Sequence, residues 1–156
     1  MEETLARIDR TVTCWMQRNA TMLLRWSMGI VFIWFGALKL FPGLSPADGL
    51  IRASMWFLPM DYFIPFLAIW EITIGVGFLI GYGMRVTILL LFLQMIGTLA
   101  PLILTPHLVW ASFPFGLTLE GQYIIKNFVL MSAAVSVGSN VRSSDTFDVW
   151  QRPHVQ

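Results

Sequence analysis

Residues 119–138, LEGQYIIKNFVLMSAAVSVG, decide how this chain is read. The stretch places Glu120, Gln122, Lys126 and Asn127 near its start, then runs apolar long enough to finish crossing a bilayer. A crossing takes about 20 helical residues at a rise of 1.5 Å each. Ionisable groups at membrane depth are costly and require a partner or a use. The rest of the chain is read as the helices that supply one.

Working outward, the composition agrees with a membrane setting. Of 156 residues, 56% are hydrophobic, 14% aromatic and only 12% charged, where a soluble domain carries about 25% charged. One small water-soluble core does not hide that much apolar surface. A formal net charge of +1 excludes a nucleic-acid role, which needs a basic stripe. Cys14 is the lone cysteine, so an internal dithiol–disulfide exchange is excluded. His107 and His154 are read as lying in a loop and a tail with no helix carrying a histidine, so neither haem nor a bound metal is expected.

Three more apolar stretches precede residues 119–138. Residues 22–41 form the first span, stopped by Pro42-Gly43. Residues 62–81 form the second, followed by a Gly81-Tyr82-Gly83 turn, and residues 84–105 the third, with Pro101 placed to kink it near its end. Residues 42–61 and 106–118 are long aromatic connections. The first of these predicts a short helix over residues 46–57 capped by Ser45. Residues 1–21 put Leu5, Ile8, Val12, Trp15 and Met16 on one face, a pattern suited to a helix lying in the headgroup region. They lack the apolar core and cleavage site of a signal peptide. Residues 139–156 read as a polar tail.

Arg7, Arg10, Arg18, Arg85, Arg142 and Arg152 flank the termini and the short turn, whereas the long loops offer only Arg52. The positive-inside rule then puts both termini in the cytoplasm. The expected fold is an all-α membrane four-helix bundle, N-in/C-in, with an amphipathic N-terminal segment (1–21), a bundle over 22–138, two aromatic outer loops and a cytoplasmic tail (139–156).

Depth unites the polar residues within the spans. Lys39, Glu71, Glu120 and Lys126 all map to the outer third, where Glu71 can pair with Lys39 or with Lys126. Arg25, Gly29, Phe32, Gly36 and Lys39 share one face of the first span, and the glycines suit close helix approach. Arg25 is expected to snorkel to headgroups near the inner boundary. Glu71 shares a face with Gly75, Phe78 and Tyr82, and Gly77 with Gly81 forms a small-residue pair on an adjacent face. Gln94 on the third span suits an interhelical hydrogen bond. The cluster is either an architectural network that fixes register or the lining of a pocket walled by Trp34 and Trp70, with Asn127 and Gln94 contributing.

Arg25 and Gly29, the run Val31-Phe32-Ile33-Trp34-Phe35-Gly36-Ala37-Leu38-Lys39, Trp70-Glu71 opening a glycine-rich span, and Thr118-Leu119-Glu120-Gly121-Gln122-Tyr123-Ile124-Ile125-Lys126-Asn127 together resemble the DoxX-like membrane proteins over roughly residues 22–142. The resemblance implies a four-helix protein of the cytoplasmic membrane of a bacterium or archaeon. It also implies kinship with the membrane subunit of a thiosulfate:quinone oxidoreductase and with membrane oxidoreductase complexes that manage oxidative stress. The function expected is a membrane redox-complex subunit that holds a quinone or a similar amphipathic molecule. In that reading Glu71, Glu120 and Lys126 are catalytic and Lys39, Trp34, Trp70, Asn127 and Gln94 contact the substrate. Membrane lipid and a partner subunit or a second copy of the chain are the expected partners. The alternatives are a non-catalytic scaffold subunit and, with less support from four short unbroken spans, a transporter.

Overall fold

The computed structural model of the chain describes residues 2–141. The expectations for Arg142, Arg152 and His154 therefore lie outside the described residues. Four long helices carry the architecture: α1 (Glu2–Lys39), α3 (Met60–Ile80), α4 (Met84–Leu99) and α7 (Leu119–Val141). Short elements join them: α2 (Asp48–Ser54), α5 (Pro101–Leu104), α6 (Pro106–Val109), β1 (Trp110–Ser112) and β2 (Gly116–Leu117). Among the described residues, three helical stretches are long and apolar enough to cross a membrane: Thr4–Lys39, Met60–Ile80 and Met84–Leu104. Helix α7, with 23 residues, is not one of these three.

Among the long helices, α1 packs against α3, α3 against α4, α4 against α7, and α7 against α1. Met28 and Phe32 of α1, Ile74 and Phe78 of α3, Met84, Leu91 and Met95 of α4, and Ala134 and Val137 of α7 bury one another. The closest seam is α1 on α3, and glycine makes it possible. A Cβ on Gly75 would lie 2.7 Å from the Gly29 carbonyl oxygen, and one on Gly36 would lie 2.9 Å from that of Ala68. On α3 and α4, the Trp70 indole N–H donates to the Leu90 carbonyl at 3.2 Å, and Gly77 lies against Thr87. The Gly77–Gly81 face thus serves packing within the chain: Gly81 lies against Arg25.

Several of these expectations are corrected. Residues 1–21 are not a segment separate from the first span, because α1 runs unbroken from Glu2 to Lys39. No proline or glycine occurs before Gly29, so nothing stops the helix where it leaves the core. The short helix of the first loop is confined to Asp48–Ser54, with Ala47 at its N-cap and no side-chain capping bond from Ser45. The chain is mostly helical, as expected, and residues 106–118 add a short antiparallel ribbon in which Trp110 pairs with Leu117 and Ser112 with Gly116. His107 sits on α6 rather than in a loop, and α7 continues to Val141, past the expected start of the tail. Pro101 behaves as expected, ending α4 and opening α5 at its N-terminus.

Candidate functional site

Lys39 closes the last turn of α1. Gly36, one turn earlier, lets α1 settle on α3 so that the Lys39 side chain reaches Glu71. A Cβ on Gly36 would stand 3.0 Å from the Glu71 Cβ. The Lys39 ammonium donates to Glu71 Oε2 at 2.5 Å and to the Phe35 carbonyl at 3.5 Å. The two side chains are 7% and 11% exposed, so the pair is held away from bulk solvent. From α4, the Gln94 amide nitrogen donates to Glu71 Oε1 at 2.5 Å. A carboxylate only accepts, and this fixes the amide with its NH2 toward Glu71. The Gln94 carbonyl oxygen is thereby turned the other way, where it is buried with no hydrogen-bond partner among the described residues.

Each oxygen of Glu71 therefore faces one donor from a different helix, and α1, α3 and α4 meet at a single carboxylate. Two capacities remain. Lys39 has three N–H bonds and two acceptors, one of them at the limit of hydrogen-bond length, and the Gln94 oxygen accepts from nothing. The spare Lys39 donor and the orphaned Gln94 acceptor flank one carboxylate from opposite sides, an arrangement whose donor and acceptor match a small molecule bearing a carbonyl and a hydroxyl. Trp70, one residue before Glu71, is half-buried against the core and stacks with Phe66 at 5.6 Å between ring centroids.

The other candidates do not join this network. Glu120 and Lys126 are exposed on α7 and Asn127 is half-buried. The Lys126 ammonium instead lies 5.0 Å above the centre of the Tyr123 ring. Of the two pairings open to Glu71, the one with Lys39 forms. Trp34 is 63% exposed and faces outward from α1. Sequence reasoning placed Gln94 on an interhelical hydrogen bond, which it makes, but gave no reason to single out Glu71 as its acceptor. The available signal was depth: Gln94 of α4 and Glu71 of α3 lie at comparable distances from the Gly81–Gly83 turn that joins their helices.

A second polar locus lies at the opposite end. Arg25 is about 21 Å from Lys39 along α1, and its side chain lies against Gly81 at the C-terminus of α3. Thr21, Arg25, Gly81, Met84, Val137 and Asn140 line a cavity of about 210 Å³ there.

Compared with known proteins, residues 20–107 match the family model described as DoxX, more than half of the 156 residues. No curated protein and no solved structure matches the chain. The matched segment contains Lys39, Glu71 and Gln94, and it ends before Glu120, Lys126 and Asn127.

Proposed function

The chain belongs to the DoxX family, and from that premise we propose that it is a four-span subunit of a redox complex in the cytoplasmic membrane of a prokaryote. Both termini face the cytoplasm, and a quinone or a similar amphipathic molecule binds beside Lys39, Glu71 and Gln94. The observation that carries this reading is the buried carboxylate held by Lys39 and Gln94, with an unpartnered amide oxygen next to it. Reduction of a quinone to its quinol takes two electrons and two protons. A partner subunit supplies the electrons. Lys39 would donate to one carbonyl oxygen as it gains negative charge, Glu71 would pass one proton to that oxygen, and the Gln94 oxygen would accept from the hydroxyl that results, while the second proton would reach the other oxygen from outside this network. Lys126 and Glu120, exposed on α7, sit outside this step and are assigned to contact with lipid or a partner.

Gentle purification in native lipid, followed by extraction and mass spectrometry of bound small molecules, tests the proposal. The expected result is about one quinone per chain, falling at least tenfold in Glu71→Gln and in Lys39→Met while the Lys126→Met variant retains it. A stable partner protein with no bound small molecule overturns the site. That result establishes the competing reading, a scaffold subunit in which the network only fixes helix register, which the closed Lys39–Glu71 pair also fits.

A further inference from the structure

Arg25 is anomalous on other grounds than the network above. It is half-buried, its Nε is buried without a hydrogen-bond partner, and it forms no ion pair among the described residues. It lies against Gly81, yet it donates no hydrogen bond to the carbonyls at that end of α3. A guanidinium half-withdrawn from solvent needs an acceptor for the donors it presents. The nearest described acid along its own helix is Asp9, about 24 Å away.

The cavity around it supplies the rest of an anion site. The Thr21 hydroxyl, one turn earlier on α1, accepts from the Asn140 side-chain amide at 3.1 Å, and its own hydrogen has no acceptor among the described residues. Helix α4 begins at Met84 after the Gly83 N-cap, and the positive end of its dipole there offsets the negative end of α3 at Gly81, both lining the cavity. Arg18 and Arg85, both exposed on the helices that border it, add positive potential. The walls at Met84 and Val137 are apolar.

We propose that this cavity binds a phosphate group, with the two Nη groups of Arg25 donating to two oxygens and Thr21 donating to a third. A phosphate matches the planar guanidinium fork. The group is carried either on the headgroup of a phospholipid at the membrane boundary or on free phosphate. This site is about 21 Å along α1 from Lys39 and shares no residue with the Lys39–Glu71–Gln94 network, so it stands whether or not that network binds a quinone.

Native mass spectrometry of the full chain in a neutral detergent provides the test, with phosphatidylglycerol added in one arm and inorganic phosphate in the other. Wild type is expected to retain one phosphate-bearing adduct, at least tenfold depleted in Arg25→Gln and partly restored in Arg25→Lys. Thr21→Val, which keeps the side-chain volume, is expected to weaken retention about threefold to tenfold and guards against a folding defect in the arginine variant. Retention in the lipid arm alone assigns the headgroup, and retention in both arms assigns phosphate itself. Equal retention by wild type, Arg25→Gln and Thr21→Val, or no adduct in either arm, overturns the proposal.

Discussion

Removing the Lys39 ammonium leaves the Glu71 carboxylate buried with Gln94 as its one remaining donor, whereas removing Gln94 leaves it still paired with its cation. The two losses differ in kind. The first strands a charge and the second removes a neutral hydrogen bond together with an amide oxygen that had no partner. Breaking one side of a buried ion pair costs about 3–5 kcal/mol, and a hydrogen bond to a charged group contributes about 1.5–3 kcal/mol. Lys39→Met is therefore expected to destabilise the folded chain by about 3 kcal/mol or more, and Gln94→Leu by about half as much. The double variant Lys39→Met/Glu71→Met is expected to cost less than Lys39→Met alone, because no charge is stranded. Unfolding in mixed micelles by titration with a denaturing detergent measures these three and the Glu71→Met single variant. Additive losses for Lys39 and Glu71 would show that the pair is not coupled.

At the level of elements, the seam between α1 and α3 sets the geometry that those residues use. A Cβ on Gly75 would stand 2.7 Å from the Gly29 carbonyl oxygen and 2.8 Å from the Ile33 backbone nitrogen, both main-chain atoms. Gly75→Ala must push the helices apart and is expected to cost about 1–3 kcal/mol, carrying Lys39 away from Glu71 as it does so. Gly97 of α4 has nothing within 4 Å of an added Cβ, and Gly97→Ala is expected to leave stability unchanged or raise it by up to about 1 kcal/mol. Thermal melts of the two variants in one detergent make the comparison, and equal shifts would sink it. This seam was legible in the sequence because Arg25, Gly29, Phe32, Gly36 and Lys39 recur at helical spacing and the close contacts fall on that stripe. Depth and opposite charge offered Glu71 both Lys39 and Lys126 and did not choose between them. What escaped sequence reasoning depended on tertiary context. The Trp110–Ser112 ribbon is too short to declare a period, and the continuity of α1 rests on the absence of a breaker rather than on a positive signal. The exposure of Lys126 depends on the rotation of α7 against α4, which short-range spacing does not fix.

The whole molecule turns most of its apolar side chains outward. Ile30, Phe35, Ile69, Val86, Leu89 and Ile96 are each at least half exposed, although their helices pack on a shared core. Contiguous apolar surface on this scale belongs against lipid or another protein. Helix α1, at about 57 Å by its rise per residue, outruns α3 and leaves residues 4–18 exposed. The stripe from Leu5 to Met16 therefore stands beyond the core on a rigid extension of the first span. Helix α7 has the length of a span and closes the ring of packed helices against α1, so its crossing can be tested by which side its two ends face. Cys14 is the chain's one cysteine and is exposed, which makes it a reporter without alteration. In intact cells it is expected to resist a membrane-impermeant maleimide and to react once the membrane is permeabilised. In a Cys14→Ser background, Ala111→Cys in the loop before α7 is expected to react from outside, and Ser139→Cys near the far end of α7 to behave as Cys14 does. Both positions are exposed, so failure to react reports sidedness rather than burial. If Ser139→Cys labels from outside along with Ala111→Cys, α7 does not cross. The bundle then has three spans, with α7 lying on the outer face.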